Sequence, residues 1–326
     1  MLNWPDLRVT VTGGAGFLGQ VVCRKLRERG CRQVDVPRVE HYDLTGEPDV
    51  IRVYDDFRPD VVIHLAAQVG GIGANRMHPG LFFYANMAMG LHMIEHARRR
   101  GVRKFVHVGT VCAYPKFAPV PFREDDIWNG YPEETNAPYG VAKKSLFVML
   151  DAYKREYGLN SAVVVPVNLY GPGDNFDPSS SHVVPALLLK VAEAADRGAD
   201  AIPVWGTGTA SREFLYVDDA AEGVLLAAEK MDDPTPINLG TGKEITIKSL
   251  VEMIARLWNF TGRIEWDPTK PDGQPRRCLD TSRAEKLLGW RAKMDLEEGL
   301  RRTIEWYKQE RKAVACRPWP VEKVRQ

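Results

Sequence analysis

Tyr139-Gly-Val-Ala-Lys143 sets a phenol and an ammonium one helical turn apart. Four residues advance an α-helix by about 400°, which brings side chains i and i+4 onto one face. Free tyrosine titrates near ~10, and a neighbouring ammonium stabilises the phenolate, so the expectation is a phenol whose pKa Lys143 lowers. Such a phenol can act as general acid toward a ketone oxygen. Val108-Gly-Thr-Val-Cys112 lies upstream and His182 downstream, and the set as a whole points to ketone chemistry.

The elements that must hold these groups are legible in the same chain. Leu7–Thr12 reads as a short buried strand, Gly13-Gly14-Ala15-Gly16-Phe17-Leu18-Gly19 follows at once, and a helical run extends from Gln20 to Arg29. Strand, glycine turn and helix is a dinucleotide arrangement, because glycines let backbone approach a pyrophosphate at a positive helix end. A second strand, Gln33–Val36, ends in Pro37-Arg38 with Asp35 inside it. An acid at that tip would read the ribose of NAD, whereas arginine accommodates a 2′-phosphate, so Arg38 favours NADP(H) and leaves NAD(H) open. Asp60–Ala67, Lys104–Gly109 and Ala162–Pro166 are apolar strands separated by helices at 81–100 and 139–157. This alternation predicts a doubly wound parallel α/β sheet, with Gly13, Thr110 and Asn168 all beyond carboxyl ends of strands, where ligands bind.

The glycine loop, His64-Leu-Ala-Ala67, the Thr110 strand end, Tyr139-x-x-x-Lys143 and Asn168-Leu-Tyr-Gly-Pro172 resemble the extended short-chain dehydrogenase/reductase superfamily of nucleotide-sugar enzymes, with a Rossmann sheet. Val69–Asn75, Cys112–Lys116, Asn168–Asn175, Ser181–Leu187, Trp205–Thr209, Arg212–Leu215 and Lys270–Gly273 resemble its GDP-L-fucose synthase branch, over residues 7 to 308.

That resemblance implies NADPH-dependent epimerisation and 4-keto reduction of GDP-4-keto-6-deoxy-D-mannose to GDP-L-fucose. It implies Thr110, Tyr139 and Lys143 as the reductase triad, and Cys112 and His182 as the acid/base pair of epimerisation. A base on one face and an acid on the other serve inversion, with Thr110 and Tyr139 donating to the enolate oxygen. The cofactor is expected on Gly13 to Gly19, Arg38, Leu65, Ala66, Ala67, Val108, Tyr139, Lys143, Pro166, Asn168, Leu169 and His182. The GDP-sugar is expected on Asn168, Lys190, Trp205, Arg212, Asp272 and Arg277, the aspartate accepting from guanine. Three positions depart from the pattern: threonine stands for serine at 110, arginine for lysine at 277, and Ala15 where some members carry a phosphate-binding arginine. Two other readings stay open, an epimerase or reductase on a related GDP-keto-sugar such as a keto-heptose, and a non-catalytic dinucleotide sensor.

At 326 residues and 44% hydrophobic content the chain can bury a large core, and its net charge of +1 gives no footprint for nucleic acid or membrane. Five cysteines form no CxxC pair, no metal site is read, and no long apolar run occurs, so a reduced, cytoplasmic protein is expected. The expected division is a nucleotide domain at 1–172 with returns near 213–240, a smaller α/β substrate lobe at 173–212 and 241–310, and a basic tail at 311–326. The resemblance also implies a homodimer through helices 81–100 and 139–157, with Phe82, Leu91, Ile94, Phe147 and Leu150 as candidate apolar faces.

Overall fold

The computed structural model describes residues 2–178, 180–270 and 272–315. In chain order the elements are β1 (Arg8–Thr12), α1 (Phe17–Glu28), β2 (Gln33–Asp35), α2 (Glu47–Phe57), β3 (Val61–His64), α3 (Ile72–Met77), α4 (Pro79–Arg99), β4 (Lys104–Val108), α5 (Ala137–Tyr157), β5 (Ser161–Pro166) and β6 (Asn168–Tyr170). There follow α6 (Val183–Arg197), β7 (Ala201–Trp205), β8 (Ser211–Tyr216), α7 (Val217–Lys230), β9 (Pro236–Leu239), β10 (Glu244–Thr246), α8 (Ile247–Trp258), β11 (Arg263–Asp267), α9 (Ser282–Leu288) and α10 (Leu296–Ala315). Proline opens α2, α4 and α5, where its missing N–H costs nothing, and left-handed glycines end α5, α6 and α9 at 158, 198 and 289.

Six parallel strands form the main sheet in the order β2-β1-β3-β4-β5-β9, the doubly wound architecture expected. β3, β4 and β5 are buried along their whole length, as strands covered by helices on both faces must be. β1 pairs with β2 on one side and β3 on the other, and just beyond the end of β1 the chain runs close to the segment that follows β3. Gly13 has φ +68°, and a Cβ on it would stand 2.8 Å from the Ala66 nitrogen, so only glycine fits this crossing.

Two smaller sheets, β10-β8-β6 and β11-β7, lie outside the first. Buried side chains divide into two clusters, one around the main sheet and one built by α6, α8, α10 and the small sheets. β8 stands between them: Leu215 packs with the first cluster, Phe214 and Tyr216 with the second. Within 241–310, Leu279, α9 and Trp290 pack with the first cluster.

Several local expectations are corrected. α1 starts at Phe17, inside the glycine loop. Asp35 ends β2, and its carboxylate turns to Gln33 Nε2 at 3.3 Å. Among the described residues, 246–310 hold α8, β11, α9 and most of α10. Ile94, Phe147 and Leu150 belong to the core around the main sheet, and Phe82 is buried with its ring toward Gly70; of the candidate apolar faces only Leu91 is exposed, at 44%. α10 continues to Ala315, so the supposed tail starts as helix, and Arg317-Pro-Trp-Pro320 lies outside the described residues. Among the described residues no helix is long and apolar enough to cross a membrane.

Candidate active site

α5 enters the site end-on. Its first turn packs against a short 3-10 turn, Val111–Ala113, so tightly that a Cβ at Gly140 would lie 2.2 Å from the Cys112 carbonyl oxygen. The glycine inside Tyr139-Gly140 therefore lets the helix carry Tyr139 up to Thr110 and Cys112. Thr110 caps the turn: its Oγ1 accepts from Cys112 N at 3.2 Å and its hydroxyl is hydrogen-bonded to Tyr139. One threonine thus ties the phenol to the backbone of the turn that carries Cys112.

Burial governs both members of the Tyr–Lys pair. It raises the Tyr139 hydroxyl well above the ordinary tyrosine value, helped by the charge of Cys112 and opposed by the Thr110 hydrogen bond. The expected lowering by Lys143 is not found, because Lys143, 1% exposed, is itself pushed down to about 7 by burial. Tyr139 therefore holds its proton, as a general acid must. Beneath Lys143, Thr12 Oγ1 accepts from Ala66 N at 3.3 Å and pairs with His64 Nδ1 at 2.8 Å. Burial, and secondarily the Lys143 charge, takes His64 down to about 3 and lowers the stacked His107, so both imidazoles stay neutral.

His182 caps the N-terminus of α6 and is open to the cleft. Crowding by protein on its other sides lowers its pKa, in the direction expected near a positive helix end. Asp174 comes from the turn-rich loop before α6 and also lines the cleft. Its Oδ2 is buried without a partner, and burial raises its pKa to about 7.

All five candidate catalytic residues line one cleft of about 1680 Å³ between the two clusters. The candidate cofactor residues line it too, except Gly14, which faces Val11 and Val36. Gly16, the N-cap of α1, offers no side chain, so the cleft-lining residues Phe17, Leu18 and Gly19 turn first-turn amides to it. These residues and Lys143, whose burial no carboxylate offsets, fit a dinucleotide's phosphates and ribose. Arg38 lies on the rim, 57% exposed, with Glu40 at 3.5 Å.

The same cleft holds Asn168, Lys190, Trp205, Arg212, Asp272 and Arg277. The Trp205 ring is 58% exposed, with the Lys190 and Lys270 ammonium groups each 5.7 Å from its centroid. Asp272 departs from expectation. Its carboxylate already accepts from Thr207 N and Oγ1, both at 2.8 Å, and so closes the turn that presents Trp205. Arg212 likewise donates to the carbonyls of Ser211, Gln274 and Asp272 at 2.7, 2.6 and 3.0 Å. Seven Lys or Arg side chains against four Asp or Glu make the lining cationic, which suits polyanionic ligands.

Sequence reasoning missed Asp174, Gln274 and Glu213. Glu213 is fully buried and its carboxylate accepts from the backbone of Thr241, Gly242 and Leu279, pinning β8 to two distant loops. Its available signal was a carboxylate immediately before the apolar run Phe214–Val217.

Residues 9–240 match the model of the NAD dependent epimerase/dehydratase family. Over 300 residues the chain is 39% identical to GDP-L-fucose synthase 1 of Arabidopsis thaliana, covering 92% of this chain and 93% of that one. It is similar in structure to a GDP-6-OMe-4-keto-L-xylo-heptose reductase from C. jejuni, with TM-score 0.88, 26% identity and coverage of 94% and 99%. It is also similar to a GDP-L-fucose synthetase from Naegleria fowleri bound to NADP, with TM-score 0.84, 26% identity and coverage of 94% and 95%.

Proposed function

The chain therefore belongs to the NAD dependent epimerase/dehydratase family, alongside GDP-L-fucose synthases, and we propose that it carries out NADPH-dependent epimerisation and 4-keto reduction of GDP-4-keto-6-deoxy-D-mannose to GDP-L-fucose. The observation that carries this reading is that Cys112 and His182 share a cleft with Thr110, Tyr139 and Lys143. Ketone reduction needs the latter three; inversion at neighbouring carbons needs an acid and a base besides.

Tyr139 and Thr110 donate to the ketone oxygen, which makes the proton on the adjacent carbon removable. Cys112 takes that proton, and His182, which lines the same cleft, returns one on the other face. Lys143 holds the cofactor against Tyr139. A nicotinamide dinucleotide, when bound, supplies the hydride, and Tyr139 gives its proton to the resulting alkoxide. Arg38 is the cation offered to a 2′-phosphate; Asp35, turned toward Gln33, offers no competing ribose contact, and NADP in the Naegleria protein supports the same choice. Trp205, flanked by Lys190 and Lys270, takes the guanine and diphosphate.

In this reading residues 1–172 with 213–240 bind the cofactor, and 173–212 with 241–310 bind the GDP-sugar. We further propose a cytoplasmic homodimer through the exposed side chains of α4 and α5, among them Leu81, Tyr84, Leu91 and Val148. Sedimentation as a monomer at micromolar concentration would remove the dimer.

The second reading is reduction of a GDP-keto-heptose, favoured by the C. jejuni likeness at TM-score 0.88; the higher identity to a fucose synthase, 39% against 26%, favours the first. A sensor would not need the intact triad. Oxidation of NADPH with GDP-4-keto-6-deoxymannose, with the product assigned by NMR, is the test. GDP-L-fucose supports the proposal; an unepimerised product, or turnover of the keto-heptose alone, overturns it.

A further inference from the structure

Cys112 does not sit alone. Arg277, 8% exposed, comes from the loop before α9 and directs Nη1 to the Cys112 sulfur at 3.9 Å. Its Nε and Nη2 both donate to Gln274 Oε1 at 3.2 Å, and Gln274, 6% exposed, donates from Nε2 to the Lys116 carbonyl at 2.9 Å. Lys116 ends the segment that Cys112 begins. A loop far along the chain is thus bolted to the thiol's own segment, and the bolt fixes a guanidinium beside the sulfur. The nearby Arg212 cannot do the same, because its guanidinium is committed to three carbonyls.

We propose that Arg277, held by Gln274, is the positioning residue that presents a cationic N–H to the Cys112 sulfur and keeps it reactive, rather than a group reserved for the GDP moiety. That this reactivity serves as the base of epimerisation rests on the function proposed above. In that step the proton leaves the sugar carbon for the sulfur, the C–H bonding pair becomes the enolate, and negative charge passes from sulfur to the ketone oxygen. No electron is gained or lost.

The test needs no sugar. Alkylation of Cys112 by iodoacetamide in the folded, full-length protein is followed by mass spectrometry at neutral pH, with Cys112→Ala as background. Arg277→Gln lowers the rate about tenfold, the loss of one charge-assisted contact; Arg277→Lys, which keeps the charge, restores most of it, and Gln274→Leu gives an intermediate loss. A purely structural role for Arg277 predicts no rescue by lysine. Unchanged alkylation in Arg277→Gln overturns the proposal; should that variant not fold, unchanged alkylation in Gln274→Leu does so. Failure of the functional reading looks different: thiol reactivity depends on Arg277 while GDP-4-keto-6-deoxymannose is not turned over.

Discussion

Replacing Lys143 by methionine should stabilise the protein while abolishing reduction, and the stabilisation should vanish with rising pH. Lys143 is 1% exposed and its ammonium is driven from 10.5 to about 7 by burial alone. At about 1.4 kcal/mol per pH unit, the distance from 10.5 to about 7 is worth about 5 kcal/mol. The sign follows from proton counting. Between about 7 and 10.5 the unfolded chain holds a proton that the native state has released, so native stability rises with pH across that window. Below it, both states are protonated and the native state bears the whole penalty. Methionine has a similar length and fills the same space without charge. Urea unfolding of the cofactor-free proteins should show the variant more stable by about 4 kcal/mol near pH ~7 and by about 1 kcal/mol near pH ~9.5. A difference that stays constant with pH would refute the reasoning, because a packing effect has no reason to titrate.

Asp174→Asn should stabilise the protein near pH ~8 by about 1–3 kcal/mol and leave it unchanged near pH ~4, since a carboxyl raised to about 7 makes the wild type lose stability as pH climbs from the unfolded value through the folded one; thermal unfolding at both pH values checks this. Trp205→Ala should raise the KM for GDP-sugar by about 5- to 100-fold with unfolding unchanged, because the ring is exposed and stacking is worth about 1–3 kcal/mol. Arg38→Ala should raise the KM for NADPH about tenfold or more and leave that for NADH nearly unchanged; an unchanged ratio removes Arg38 from the site.

The main sheet was legible because β3, β4 and β5 are short apolar runs buried on both faces, and because the glycine loop sits between a strand and a helix. The small sheets were not. β6 and β10 have three residues each, and their pairing partners lie dozens of positions away, so nothing local marks them as strands. The same divide runs through the site. Tyr139 and Lys143 could be paired from helical spacing, but their proton affinities depend on burial, which is a property of the packed molecule; spacing alone gave the wrong sign for Tyr139. Asp174 looked like one more polar residue in a turn-rich loop, and Gln274 stands just past the Lys270–Gly273 motif. Asp272 and Arg212 were read as free ligand groups because a sequence does not reveal that Thr207 and three backbone carbonyls already occupy them.

Apart from the alternation within β8, the chain passes between its two cores five times: between Val167 and Tyr170, between Tyr216 and Ala220, between Leu239 and Ile245, between Trp266 and Leu279, and between Ala292 and Met294. Neither core is a contiguous stretch, so no single cut frees one as an autonomous fragment. Exchanging the second core for that of a relative cannot be done by one splice; it needs a junction at every passage.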